Sequence, residues 1–219
     1  AWFVSTNVTT TPSLDDWSVS WFATPVSLTL TPVDSTITAG QVISYTAIAH
    51  DGYGKSWDVT AGSQYTIAPG AGGTWAGNTY TSEIAGNWTV TVTYQGAALV
   101  TATTSLIVQH ATAVAIDLTP ISATVTSGDV ITYFAAARDS YSNSWDVTGD
   151  TMFTIEAEAG GSWVNNAYIA EKDGIWTVSG TDNGLTNTAM LTVANVVPAA
   201  NAGGPYYGDE GSPVSFNGG

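Results

Sequence analysis

Two histidines, 18 carboxylates and three cationic side chains are all that this 219-residue chain offers to acid–base or ligand chemistry, and it has no cysteine. His50 is the better placed histidine, next to Asp51, and His110 follows an apolar run. Neither has a Ser or Asp partner that recurs along the chain, so a nucleophile–base–acid triad finds no repeated residue set. Two carboxylate pairs do recur, Asp51 with Asp58 and Asp139 with Asp146, in a spacing open to acid–base work. An Asp ahead of a Gly- or Ser-rich turn also satisfies backbone N–H groups. That structural role is the expectation, and the chain is not expected to be an enzyme. The same hard oxygens suit calcium, which needs six to eight of them. Asp51, Asp58, Asp139 and Asp146 are its candidate ligands, with Asp117, Asp209 and Glu210 as a second set. None has EF-hand spacing, and a solvated acidic face is the competing explanation. No other cofactor is expected.

The charge balance narrows the partners. Lys55, Arg138 and Lys172 are the whole cationic supply of a chain with net charge -15. Nucleic acid and anionic membrane surfaces are bound by exposed Lys and Arg, so both are excluded as partners. Without Cys there is no disulfide framework and no thiolate metal site. Charged residues make up 10% of the chain and hydrophobic ones 44%, so solubility rests on Thr, Ser, Asn and Gly. No apolar run reaches the roughly 18 residues that span a bilayer. Direct membrane insertion of this segment is therefore not expected. The chain starts at Ala1 with no basic n-region, so any secretion signal is expected to have been removed or to lie outside it.

An internal repeat positions all these residues. Val26 to Gly96 aligns without a gap on Val114 to Gly184, with Pro32 returning 88 residues later as Pro120. Leu30-Thr31-Pro32 returns as Leu118-Thr119-Pro120. Ser56-Trp57-Asp58-Val59-Thr60 returns as Ser144-Trp145-Asp146-Val147-Thr148, and Gly72-Gly73 with Trp75 as Gly160-Gly161 with Trp163. Tyr80, Glu83, Gly86 and Trp88 return as Tyr168, Glu171, Gly174 and Trp176. Beyond Gly184 the second copy has lost three residues, a deletion that a hairpin loop would tolerate. Within each copy, Thr36-Ile37-Thr38, Val42 to Tyr45, Trp88 to Val92 and Thr132 to Ala137 alternate as short β-branched and aromatic runs between turn signals. Many such strands, and no helical periodicity, predict an all-β chain of tandem sandwiches. Six of the nine tryptophans belong to the repeat and are expected in or beside its cores.

This pattern, from Leu-Thr-Pro through Ser-Trp-Asp-Val-Thr and Gly-Gly-x-Trp to Glu-x-x-Gly-x-Trp-Thr-Val, resembles the bacterial Ig-like (Big) domains of prokaryotic surface proteins. Pro198 to Tyr206, followed by Glu210 to Phe216, resembles the opening of a PKD domain. The resemblance implies immunoglobulin-like sandwiches and an extracellular, cell-surface location. The expected layout is a strand leader at 1–25, Ig-like domains at 26–109 and 110–194, and an incomplete PKD-like start at 195–219. About 20 residues of a sandwich cannot offset their own chain entropy. Residues beyond Gly219 or another chain are expected to complete that start.

The leader holds the tryptophans that have no repeat counterpart. Trp2 and Phe3, then Trp17, Val19 and Trp21 in alternation, could cap the first domain. Alternatively they add to a neighbouring subunit's sheet edge and build a head-to-tail fibre. Asn7 and Asn87 head Asn-x-Thr glycosylation patterns. The expected function is structural: a subunit or segment of a surface layer, sheath, filament or adhesin stalk, whose partners are copies of itself or other surface proteins. A carbohydrate-binding adhesin and a spacer region of a secreted hydrolase are the alternatives.

Overall fold

The computed structural model describes residues 24–196 together with Glu210 and Gly211. Asn7, the leader candidates Trp2, Phe3, Trp17, Val19 and Trp21, and most of the 195–219 tail lie outside the described residues. The chain divides into two compact units. The first runs to Thr112 and takes in Ser140–Asn143, and the second runs from Ala113 to Asp139 and onward from Ser144.

Unit 1 is built from ten strands: β1 (Ser27–Thr31), β2 (Ser35–Thr38), β3 (Val42–Ser44), β4 (Thr46–His50), β5 (Ser56–Asp58), β6 (Ser63–Ile67), β7 (Thr74–Ala76), β8 (Thr79–Thr81), β9 (Gly86–Gln95) and β10 (Leu99–Gln109). They form one sheet of order β1-β4-β5, a second of order β2-β10-β9-β6 and a small third of order β3-β8-β7. β2 lies parallel to β10, whereas β9 and β10 form a long antiparallel hairpin. Alternation decides the faces: Val90, Val92, Leu106 and Val108 point inward, against Leu30, Ala47, Ala49 and Tyr45.

Unit 2 repeats the plan with β11 (Ala113–Thr119), β12 (Ser122–Thr126), β13 (Val130–Thr132), β14 (Phe134–Asp139), β15 (Ser144–Asp146), β16 (Met152–Ile155), β17 (Ser162–Val164), β18 (Ala167–Ile169), β19 (Gly174–Asp182) and β20 (Leu185–Ala194). Its sheets run β11-β14-β15, β12-β20-β19-β16 and β13-β18-β17. The core gathers Ile116, Leu118, Tyr133, Ala135, Ala137, Val178, Ala189, Leu191 and Val193. Each unit is an immunoglobulin-like β-sandwich, and the chain is all-β.

The three-residue deletion falls at a hairpin tip. Gln95 pairs with Leu99 across a three-residue loop in unit 1, and Asp182 pairs with Leu185 across Asn183-Gly184 in unit 2. Deeper in the hairpin the register is preserved, with Trp88 opposite Leu106 and Trp176 opposite Leu191. Two expected strands are instead broken. The run Val42 to Tyr45 stops at Ser44 and Thr132 to Ala137 is interrupted at Tyr133, because each tyrosine carries the chain from one sheet to the next. The Tyr45 N–H donates to Asn78 O (2.9 Å) and the Tyr133 N–H to Asn166 O (2.9 Å). The side chains of Asn78 and Asn166 donate back to the Tyr45 and Tyr133 carbonyls (2.6 and 2.7 Å). With their backbones clamped at the crossing, both rings are fully buried.

Candidate functional surface

The residues that recur between the units are occupied in building them. In unit 1 the Gly73 N–H donates to Glu83 Oε2 (2.7 Å), the Tyr80 hydroxyl donates to Gly72 O (2.9 Å), and Trp88 Nε1 donates to Ile84 O (2.8 Å). Unit 2 repeats all three, from Gly161 to Glu171 (2.6 Å), Tyr168 to Gly160 O (2.8 Å) and Trp176 to Lys172 O (2.9 Å). Gly73 has φ +71°, and a Cβ there would stand 2.2 Å from the Thr81 carbonyl oxygen; at Gly161 the matching distance to Ile169 O is also 2.2 Å. The Gly-Gly, Tyr, Glu and Trp landmarks are thus one clamp made twice. All six repeated tryptophans are half-buried against the cores.

Trp75 packs with Tyr45, Tyr65 and Tyr80, ring centroids 5.0 to 6.1 Å apart. Trp163 does the same with Tyr133, Phe153 and Tyr168. Burial pushes the Tyr45 and Tyr133 hydroxyls up to about 12, with a smaller push from the neighbouring Tyr80 and Tyr168.

Three of the recurring carboxylates, Asp51, Asp58 and Asp146, hold turns. Asp51 Oδ1 accepts from the N–H groups of Tyr53 (2.8 Å) and Lys55 (2.9 Å). Asp58 Oδ1 accepts from Thr60 N–H (2.8 Å) and Asp146 Oδ1 from Thr148 N–H (2.9 Å). The Thr60 and Thr148 side chain and N–H hold these carboxyls below the usual range. The pairs are not brought together. Asp58 is in register with Ile48, three residues before Asp51, which separates their backbones by about 10 Å. Asp139 is buried at the end of β14, while Asp146 is exposed opposite Ala136. Among the described residues no three His, Asp or Glu side chains converge to hold a metal ion. Asn87 is exposed on β9.

His50 sits on the outer face of the β1-β4-β5 sheet, its Nε2 hydrogen-bonded to Thr29 Oγ1 and its Nδ1 to Ser56 Oγ (both 2.7 Å). A hydroxyl stands on each side of the imidazole, so no carboxylate is present to stabilise an imidazolium in the way a triad acid does. In unit 2 the same two positions carry the Arg138–Asp117 ion pair. One cross-strand site is therefore filled in unit 1 by an imidazole between hydroxyls and in unit 2 by an ion pair.

That outer face differs in a second way. In unit 2 Thr46 is replaced by Phe134 and Ile48 by Ala136, and a shallow cavity of about 300 Å³ opens among Thr119, Phe134, Ala135, Ala136, Ser144, Trp145 and Asp146. An exposed phenyl face beside a carboxylate and two hydroxyls can hold an apolar C–H surface and accept hydroxyl donors. Sequence reading missed this cavity, because it depends on which small residue lies across the sheet from Asp146. Among the described residues no helix is long and apolar enough to cross a membrane.

No family model matches the sequence, and no curated protein does. Among solved structures the chain is similar to the surface layer protein SbsC, domains 1–6, at 18% identity and a TM-score of 0.40, spanning 89% of this chain and 32% of that one. It is also similar to mouse cadherin-23 EC22–24 (13% identity, TM-score 0.39, 78% of this chain and 67% of that one). A third likeness is to protocadherin gamma B7 extracellular cadherin domains 1–4 (12% identity, TM-score 0.38, 75% and 50%).

Proposed function

We propose that this chain is an extracellular structural protein, a subunit or segment of a prokaryotic surface layer, sheath, filament or adhesin stalk. Its tandem Ig-like domains are of the Big type and are followed by the opening of a PKD-like domain. The observation that carries this reading is the doubled clamp. The Gly-Gly, Tyr, Glu and Trp residues on which the repeat was recognised are spent on holding each sandwich together. A chain that spends its repeated residues on the same scaffold twice over is suited to bearing load and packing rather than to turnover. Length-wise contact is assigned to the leader, where Trp2, Phe3, Trp17, Val19 and Trp21 would add to a sheet edge of the next copy.

Electron microscopy of the concentrated full chain tests the reading. An ordered polymer or layer is expected, with a repeat of one or two sandwich lengths. Isolated monomers at every concentration would overturn it.

A further inference from the structure

The net charge of -15 is distributed unevenly over the strands. The four strands β2, β6, β9 and β10 of unit 1 contain no Asp, Glu, Lys or Arg at all. Their counterparts β12, β16, β19 and β20 contain one, Asp182, and it is buried. By contrast the β1-β4-β5 sheet carries Asp58 and the β11-β14-β15 sheet carries Asp117, Arg138, Asp139 and Asp146, while the small β3-β8-β7 and β13-β18-β17 sheets carry no charge. Two carboxylates touch the four-stranded sheets from outside these strands. Asp34 accepts from the Ser105 hydroxyl (2.7 Å), and Glu156 accepts from Thr177 N–H (3.2 Å).

The outward positions of these sheets form rows made mostly of small hydroxyl side chains. In unit 1 Thr66, Thr91 and Thr103 lie in register across three strands, with Gln64, Thr93 and Thr101 in the next row. In unit 2 the rows are Thr154, Ser179 and Thr188, then Met152, Thr181 and Thr186. Rows stand about 6.8 Å apart along a strand and their members about 4.8 Å apart across strands. Between the copies the outward positions of these strands have been rewritten without acquiring a charge, and the one charge gained, Asp182 in place of Tyr94, is buried. Asn87 becomes Ile175, Gln64 becomes Met152, Ser105 becomes Met190 and Ile107 becomes Thr192. Elsewhere the same comparison adds charges freely: Thr29 becomes Asp117, Gln41 becomes Asp129 and Gly62 becomes Asp150, while Ala68 becomes Glu156 just beyond the end of β16.

We infer that the outer face of each four-stranded sheet is a lateral docking surface for a second copy of this chain. This inference rests on the structural reading above and adds where copies meet side by side. Charge selects the occupant. A cationic partner would be drawn to the acidic sheets and loops, and a partner whose docking face is itself anionic is repelled. Another copy, although anionic overall, presents a face whose strands are equally free of outward charge, so the only carboxylates shown at the contact are Asp34 and Glu156, just outside the edge strands. Each Thr hydroxyl both donates and accepts, so a face of hydroxyl rows is complementary to itself, as an isologous contact requires. Thr is stiff at χ1 and loses little freedom on docking, unlike a Lys/Glu surface. Ile107, Ile175 and Met190 supply exposed apolar contact on the same faces. The area is roughly 500 Å² per partner, or roughly 1,000 Å² in total, which is a weak contact alone. Repetition along an assembly makes it strong.

The test uses the full chain with Thr103→Glu and Thr188→Glu together, one carboxylate on each face at exposed positions. Tyr53→Glu, on a fully exposed turn, adds charge elsewhere as a control. The wild type and the control are expected to associate laterally into bundles or layers, more strongly as NaCl rises from about 0.02 to 0.5 M, because salt screens the general repulsion and there are no interfacial ion pairs to weaken. The double variant is expected to give single-width threads or monomers, with unchanged circular dichroism and melting. Lateral assembly of the double variant equal to wild type overturns the docking face while leaving the structural function standing. So does association that weakens with salt. A wild type that never assembles overturns both.

Discussion

Replacing Gly73 by Ala separates two costs that the fold imposes at one residue. The first is conformational: with φ +71° an L-residue sits in the left-handed region, at a cost of about 1 kcal/mol. The second is spatial. The new Cβ would lie 2.2 Å from the Thr81 carbonyl oxygen and 2.7 Å from the Tyr80 hydroxyl, and neither neighbour can move away. Thr81 is hydrogen-bonded in β8, and Tyr80 is fully buried with its hydroxyl on the Gly72 carbonyl. Overpacking against fixed atoms adds about 1–3 kcal/mol. Gly54 provides the comparison, because its φ is +84° but a Cβ there meets nothing within 4 Å. Gly54→Ala should thus cost about 1 kcal/mol and Gly73→Ala about 3 kcal/mol, a difference of roughly 30-fold in the opening equilibrium of unit 1. Amide hydrogen exchange on the full chain, read at peptides from β8 and β9, resolves unit 1 from unit 2 and measures both. Equal loss of protection in the two variants would refute the clamp.

Alkali should unfold the chain through its buried tyrosines. The Tyr45 and Tyr133 hydroxyls are raised from 10.0 to about 12. The unfolded chain therefore loses these protons first: their contribution to stability is complete below pH 10 and is lost as pH rises through 12. Each tyrosine contributes a slope of about 1.4 kcal/mol per pH unit in that window. Urea midpoints from pH 9 to 12 should fall less steeply in the Tyr45→Phe, Tyr133→Phe double variant, and an unchanged slope would contradict the burial argument. The Arg138–Asp117 pair, about half exposed on each side, should show a coupling of only about 0.2–1 kcal/mol in a double-mutant cycle with Asp117→Asn and Arg138→Gln, and that coupling should disappear at about 1 M salt.

The sequence carried the sandwich plan because its signals are local. Alternation in Trp88 to Val92, the paired Gly-Gly, and a deletion placed beside Gly184 all concern residues within a few positions of one another. What sequence missed depends on partners far along the chain. Val42 to Tyr45 alternates as one strand would, yet Tyr45 leaves it because Asn78 takes its N–H and grips its carbonyl. Nothing near Tyr45 announces Asn78. The cavity beside Phe134 is hidden for the same reason, since Ala136 opens it only once β15 brings Asp146 alongside. The scarcity of charge was visible from composition. Its confinement to particular sheets was not, because β2 must first be set beside β10 and β6 beside β9.

The two copies then act as each other's control. Both keep the clamp, so the clamp belongs to folding. They differ on the outer face of the three-stranded sheet, where Thr29, Thr46, Ile48 and His50 give way to Asp117, Phe134, Ala136 and Arg138. A sandwich core is indifferent to that exchange, since all four positions face away from it. A surface that gains an ion pair, an aromatic and a cavity in one step cannot also be a uniform self-packing face, because stacking it would bury Asp117 and Asp146 against their own kind. The outward strand positions of the four-stranded face have changed as many residues and have admitted no charge. Folding alone does not require that: a lone outward Lys or Glu on an exposed strand changes stability by only about 0.5 kcal/mol. The restriction is explained if that face spends its working life against another surface of the same kind.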